Sequence, residues 1–310
     1  MTLNHTDRRR YAAATMVQAA LATAALASSG AASAGGIPFA GNRPQSFEFP
    51  IDYTESYNSF GQFVQYNDDK RQFDSAGNKV AGSGGHTVVG LSSALHYWKF
   101  DALPNVGWVG SVTVPEVRVE GRGFAVSGIG DPLVGGIVFI KPTPSSTLGV
   151  QTLVQVPVGA SSVTTNTWSL WPSVFYNAWF DNRFNLDVLV GGVLRSTTHK
   201  TGANDLDAGN TLHANVRLGM GLEPVLYTRP VYAIPFVGID FQRTGKTRDK
   251  FTGLELTNSD SRETAANVGV LFQLQRKKGY DQFEVHYSRG FNGRNTSVTN
   301  GLFLQYWHYF

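Results

Sequence analysis

Residues 212–223 read Leu-His-Ala-Asn-Val-Arg-Leu-Gly-Met-Gly-Leu-Glu. On an extended chain, Leu212, Ala214, Val216, Leu218, Met220 and Leu222 share one face, and His213, Asn215, Arg217, Gly219, Gly221 and Glu223 share the other. A strict period of two predicts a β-strand with one apolar and one polar side, and no 3.6-residue register gathers the apolar positions. The run is as long as a tilted strand needs to cross a bilayer. It poses the question that decides the fold: what each of the two faces meets.

The same alternation recurs along the chain. Phe283, Val285 and Tyr287 oppose Gln282, Glu284, His286 and Ser288; Ala266, Val268, Val270, Phe272 and Leu274 oppose Asn267, Gly269, Gln273 and Gln275; Phe184, Leu186, Val188 and Val190 oppose Asn185, Asp187 and Gly191. Twelve strands are predicted, at 46–66, 87–100, 105–119, 128–140, 147–158, 167–180, 183–197, 210–223, 231–243, 264–276, 280–290 and 297–310. Short connections carrying Pro, Asp or Lys (101–104, 141–146, 181–182, 224–230, 277–279) alternate with long polar ones (67–86, 198–209, 244–263). An even strand number with short turns at one end and long loops at the other is the layout of an outer-membrane barrel. A soluble sandwich has no reason to alternate its loop lengths, and it would need a second buried layer to dispose of two unlike sheet faces. The expected fold is all-β, a transmembrane antiparallel β-barrel of about twelve strands with both termini periplasmic.

Composition agrees. Charged residues make up 16% of the 310-residue chain, against roughly 25% in soluble domains, while aromatics reach 12%. The absence of cysteine excludes disulfides and thiolate metal sites and suits export. Arg8, Arg9 and Arg10 precede the alanine-rich run from Tyr11 to Ala27 and the small-residue site Ala32-Ser33-Ala34, the layout of a signal peptide cut after Ala34. Residues 1–34 are therefore assigned to the signal peptide, 35–45 to an N-terminal periplasmic segment and 46–310 to the barrel. Cleavage leaves 23 basic against 22 acidic residues, so the basic pI does not point to nucleic acid, and none is expected as a partner.

The last strand, Gly301 to Phe310, puts Leu302, Leu304, Tyr306 and Phe310 on one face. A terminal Phe on an alternating strand resembles the signal read by the barrel-assembly machinery of Gram-negative bacteria, with His308 standing where an apolar residue is usual. Outer-membrane lipid and that machinery are the expected partners. Trp98, Trp108, Trp168, Trp179, Tyr227 and Tyr309 lie near strand ends, as interfacial girdles do.

Ser127-Gly128-Ile129-Gly130-Asp131-Pro132 imitates a phosphate loop, but Lys141-Pro142-Thr143-Pro144 after it is a turn, so no βαβ unit forms and the stretch is expected to open a strand. With Val156-Pro157-Val158-Gly159 it resembles the G-x-G-D-P … P-x-G pattern of the MetA-pathway of phenol degradation family, Val158 standing where that family usually has Thr. Asn166-Thr167-Trp168-Ser169-Leu170-Trp171-Pro172 resembles the family's N-x-W-x-x-x-P element. The likeness spans roughly 45–310. It implies an outer-membrane barrel associated with aromatic-compound catabolism and a role in uptake.

If apolar faces meet lipid, polar faces line a lumen. Its charged candidates are Asp52, Glu116, Arg118, Glu120, Asp131, Asp187, His213, Arg217, Asp240, Glu284 and His286, with Arg217 expected to pair with Asp187 on the preceding strand. Mutual neutralisation is the structural role of such charges; a charge-lined constriction is the functional one. Trp171, Phe175, Trp179, Tyr232 and Phe236 also fall on lumen faces and offer π surfaces to a small apolar or aromatic solute. Asp131, in its Gly-x-Gly-Asp-Pro turn, is expected to shape the rim where a loop enters a strand. No catalytic triad assembles: His286 and Ser288 sit two apart on one strand, and Ser161-Ser162 has no nearby His. The seven His are scattered without H-x-x-x-H spacing, so no metal or cofactor is expected. The expected function is passage of small hydrophobic or aromatic compounds across the outer membrane. A plugged structural or adhesive barrel is the alternative, and a lipid hydrolase stands behind it.

Overall fold

A computed structural model of the chain describes residues 48–49, 56–121, 123–181, 183–199, 204–222, 231–276 and 279–310. The expected signal peptide and periplasmic segment, Asp52 and Tyr227 lie outside the described residues. In chain order the strands are β1 (Tyr57–Asp68), β2 (Arg71–Phe73), β3 (Lys79–Ala81), β4 (His86–Lys99), β5 (Val106–Gly121), β6 (Phe124–Ile129), β7 (Leu133–Thr143), β8 (Ser146–Gln155), β9 (Ser169–Phe180) and β10 (Phe184–Arg195). They continue with β11 (Thr197–Thr198), β12 (Leu206–Asp207), β13 (Thr211–Met220), β14 (Val231–Thr244), β15 (Arg248–Asp249), β16 (Ser261–Gln275), β17 (Tyr280–Arg294), β18 (Thr296–Ser297) and β19 (Asn300–Tyr309).

The wall runs β1-β4-β5-β7-β8-β9-β10-β13-β14-β16-β17-β19 and returns to β1, twelve antiparallel neighbours with no free edge. β6 is the upper part of the strand that continues as β7, both pairing with β5. Closure satisfies every ladder, which a spanning sheet requires because lipid offers no hydrogen bonds. Ser59 faces Tyr309 in the closing pair, and Phe310 and Asn58 exchange backbone hydrogen bonds of 3.0 and 2.9 Å below it.

Burial follows the alternation in the sequence. From Thr211 to Met220 it switches at nearly every residue, with His213, Asn215 and Arg217 buried and Leu212, Val216 and Leu218 exposed. A large apolar residue is exposed at most outward positions of the wall, including Val134, Val150, Val174, Val237, Ile239, Val268, Leu302 and Leu304. That is the band of a lipid-facing surface. Trp98 and Trp108, facing each other across β4 and β5 near the short-turn end, join this outer surface. Tyr309 does not: at 1% exposure it lies inside the barrel, as does Trp307 beside it.

Two connections differ from expectation. β5 rises to Gly121 and turns into β6 at once, with Gly123 at φ 81° completing the turn, where the predicted strand bounds leave a longer link over 120–127. The long polar loops are partly ordered: β2, β3 and β18 form one small sheet, and β11, β12 and β15 another.

Candidate functional site

The lumen divides into two unlike sides. Toward the short-turn end of β1, β4, β5, β7, β9 and β19, the inward residues Phe63, Tyr97, Val109, Ile137, Phe139, Phe175, Trp307 and Tyr309 pack into one apolar cluster. Phe49, which precedes β1, sits within it. Its ring lies 5.0 Å from those of Phe139 and Phe175 and 6.5 Å from Tyr97. A simple device lets such rings lie flat along the wall. The cross-strand neighbour of Phe139 is Gly107, of Phe175 Gly149, of Trp307 Gly61 and of Phe236 Gly269. A Cβ at Gly107 would come within 2.1 Å of the Phe139 ring, and one at Gly149 within 2.2 Å of Phe175. The missing side chain is the space the ring occupies.

The opposite side is ionic. On β13 and β17, Arg217 Nη1 and Nη2 donate to Glu284 Oε2 and Oε1 at 2.8 and 2.7 Å, a bidentate pair buried from solvent. The guanidinium also lies over the Phe236 ring, 3.7 Å from its centroid, where the ring face attracts it. His286 Nδ1 is 2.7 Å from Glu284 Oε1, and its imidazole stacks on Phe303 at 4.5 Å. Around this pair, Asp187 accepts from Asn177 Nδ2 (2.7 Å) and Asn185 Nδ2 (3.1 Å), and Asp240 accepts from Asn215 Nδ2 (2.5 Å) and Asn267 Nδ2 (2.7 Å). Each buried carboxylate is thus met by amide or guanidinium donors, which is what keeps it tolerable in a low dielectric. Between Asp240 and His286 a cavity of about 10 Å³ remains, room for roughly one water. With the side chains of both sides buried, the lumen is packed in this state.

Most of the residues singled out in the sequence point inward: Phe175 joins the apolar cluster, Asp187, Arg217, Phe236, Asp240, Glu284 and His286 the ionic side, His213 is buried, and Trp171 packs separately against Val193 and Ala265. Several do not. Glu116, Arg118 and Glu120 stand on the outer surface, because in β5 it is Val117 and Val119 that face in, and Val119 is buried. Ser92 Oγ donates to Gln62 (2.8 Å) and Glu116 (3.3 Å), and Arg118 pairs with Glu120. Arg217 stands directly opposite Asp187 in register, yet its guanidinium reaches across to Glu284. Tyr232 keeps the inward parity of Phe236 but lies half exposed at the short-turn mouth. Sequence reasoning misses Phe49, Phe139 and Trp307. The legible signal for Phe139 and Trp307 is an aromatic opposite a glycine on the next strand.

Asp131 is a staple of the wall. Gly130-Asp131-Pro132 does not open a strand; it breaks one between β6 and β7. Asp131, 4% exposed, accepts from Gly159 N (3.0 Å), Thr164 Oγ1 (2.6 Å), Thr165 N (2.8 Å), Thr165 Oγ1 (2.7 Å) and Gln155 Nε2 (3.2 Å). A Cβ on Gly159 would fall 2.7 Å from the Gly130 carbonyl carbon, so only glycine brings the loop this close. Gly128, Gly130, Asp131, Pro132, Pro157 and Gly159 therefore form a structural joint between the wall break and the loop over 156–165. The spacing that imitates a phosphate loop belongs to this joint.

A family model described as "Putative MetA-pathway of phenol degradation" matches residues 69–306. The outer membrane channel of the COG4313 group from Pseudomonas putida F1 superimposes with a TM-score of 0.69 at 15% identity, covering 84% of this chain and 99% of that one. The β domain of the Bordetella autotransporter BrkA gives a TM-score of 0.49 at 10% identity over 82% and 98% of the two chains. A FadL homologue of Pseudomonas aeruginosa gives 0.42 at 11% identity over 90% and 97%. No curated protein sequence matches the chain.

Proposed function

The chain belongs to the MetA-pathway of phenol degradation family of outer-membrane β-barrels, and from that premise we propose that it passes small hydrophobic or aromatic compounds across the outer membrane. One observation carries the reading: the benzyl group of Phe49, which is not part of the wall, occupies a socket between Phe139, Phe175 and Tyr97. A socket that accepts an aromatic ring from outside the wall accepts a free ring of the same size. Edge and tilted contacts at 5 Å are the arrangement aromatic pairs favour. The Arg217–Glu284 ridge opposite keeps the lumen from being apolar all round, so a solute bound on the aromatic side has a polar surface to slide against.

In this state the lumen is filled, and passage requires Phe49 to leave. Phe49→Ala should raise the uptake of a planar aromatic solute into proteoliposomes several-fold while leaving a sugar of similar size close to the protein-free rate. Uptake of neither solute above protein-free vesicles, in parent and variant alike, would overturn the reading. That result would leave the plugged structural barrel, which the buried carboxylates of the ionic side, each met by donors, favour. The chemistry of a lipid hydrolase lacks its geometry: Ser162 Oγ donates to the Ser127 carbonyl at 3.1 Å, and His286 is buried within the ionic side.

A further inference from the structure

At the loop end of β14, β16 and β17 the outer surface carries a row of like charge. Arg243 faces Arg262 directly across β14 and β16, and Arg262 faces Arg294 directly across β16 and β17. Directly opposed residues hold their Cβ atoms about 5 Å apart, and like charges so placed destabilise a sheet. Arg243 and Arg262 are exposed and have no carboxylate partner among the described residues, while Arg294 reaches Asp260 only at 3.9 Å and keeps its Nε buried without a hydrogen bond. Arg289 follows just below on β17, bonded to Tyr287 Oη at 3.2 Å and Asn300 Oδ1 at 3.3 Å. A cavity of about 330 Å³ opens beside Arg243, lined by Lys246, Arg248, Glu255 and Asp260; in it Lys246 and Arg248 share Glu255 at 2.6 and 3.1 Å.

Elsewhere on the rim cations are met by carboxylates. Lys70 pairs with Asp68 at 3.0 Å, and Arg118 and His86 share Glu120. Below the arginines the same face passes through Phe241, Thr264 and Asn292 and then Arg289, and it turns apolar with Ile239 opposite Ala266 and Val237 opposite Val268 opposite Tyr287. Phe291, at the bulge in β17, is exposed. Cations at headgroup height over an apolar wall complement one kind of molecule: a lipid with anionic phosphates above its acyl chains. Guanidinium forks match phosphate oxygens bidentately, and the loop end of an outer-membrane barrel is its extracellular end.

We propose that Arg243, Arg262 and Arg294 form a binding site on the outer wall for the phosphates of an acylated lipid of the outer leaflet. The bound anion takes up the charge that the sheet otherwise sets against itself.

The test uses the full chain refolded in neutral detergent, its folding checked by heat-modifiable migration. Retention of bis-phosphorylated acylated disaccharide (lipid A) is read by native mass spectrometry and the unfolding midpoint by heating. Arg243→Gln with Arg262→Gln should reduce retention at least about tenfold, the scale of one charge-assisted hydrogen bond lost, and Arg118→Gln should leave it unchanged. Without lipid, Arg262→Gln should melt above the parent, because repulsion is relieved; with lipid the order should reverse. That reversal needs only the single variant and holds the proposal to account if the double variant fails to fold. Equal retention by parent and variants, equal retention of the dephosphorylated lipid, or a lower lipid-free midpoint for Arg262→Gln would each overturn it. Inorganic phosphate that stabilises the parent as much as the lipid does would make this a free-anion site and overturn it equally.

Discussion

A carboxylate can serve a barrel in two ways, and Asp131 and Glu284 show both. Asp131 spends its lone pairs on the backbone and hydroxyls of the loop over 156–165, so its loss should free that loop from the wall. Asp131→Ala should lower stability by about 2 kcal/mol, the range for a buried charged acceptor, and open residues 156–165 to protease; a loop as protected as in the parent would contradict the staple. Glu284 spends its charge on one guanidinium. Arg217→Met leaves that carboxylate buried beside His286 and should cost about 3–5 kcal/mol in equilibrium unfolding. Arg217→Met with Glu284→Leu should be less damaging than the single change, because no uncompensated ion of the pair remains. Both residues are legible as inward from alternation alone. Their partnership is not, because β13 and β17 meet only across the lumen, and reading along the chain places Asp187 nearer. Asp131 is legible as a turn residue, but nothing local discloses that its donors lie 24 to 34 positions away.

At the scale of a strand, alternation tells which residues share a face and leaves open which face is which. In β13 the apolar set is continuous and the assignment is secure. In β5 it fails, because the strand runs past the membrane: Val117 and Val119 turn in, while Glu116, Arg118 and Glu120 meet water outside. Above the bilayer both faces border polar surroundings, and the pattern loses its reference. Height on the outer face should therefore set the cost of a charge. Val216→Arg, amid Val188 and Ile239 on neighbouring strands, should cost about 2–4 kcal/mol in unfolding from vesicles. Ala125→Arg, on the outer face opposite Glu120 in the same rim that carries Arg118, should cost less than about 1 kcal/mol. Equal costs would undo the placement of the membrane band. Glycine sets a second rule at this scale. Gly107→Ala drives a methyl into the Phe139 ring and should destabilise by about 1–3 kcal/mol, and Phe139→Leu in the same chain should recover part of the loss. A neutral Gly107→Ala would show that the ring does not need the gap.

For the whole molecule, closure depends on one seam, where β19 returns to β1. Fold class, strand number and the outward face of β19 are all legible in the order of the amino acids, because period two and alternating loop lengths are global properties of the sequence. The packed lumen is not legible there, since filling depends on rings from different strands meeting at one level. The seam makes the role of Phe310 testable in a way the sequence resemblance alone does not. Its backbone exchanges two hydrogen bonds with Asn58, its ring stacks on His308 at 5.3 Å, and it remains 58% exposed. His308, the departure from the resembled assembly signal, is held by Asp281 at 2.6 Å on the same outer face, so a hydrogen bond steadies the position where an apolar residue is usual. Phe310 can therefore act by completing the wall or by presenting a ring to the assembly machinery, and two changes separate these. Deleting Phe310 removes both the backbone bonds and the ring; Phe310→Ala removes the ring alone. If recognition governs, both changes should lower the heat-modifiable barrel in the outer membrane severalfold, while Phe310→Ala refolds into vesicles as well as the parent without any machinery. If closure governs, only the deletion should fail, and it should fail in vesicles too. We expect the first pattern, because two backbone bonds add little to a ladder already closed from Ser59 to Asn67, and a ring that stacks on His308 but stays 58% exposed gains little from packing. Unchanged outer-membrane yield for both variants would remove Phe310 from assembly altogether.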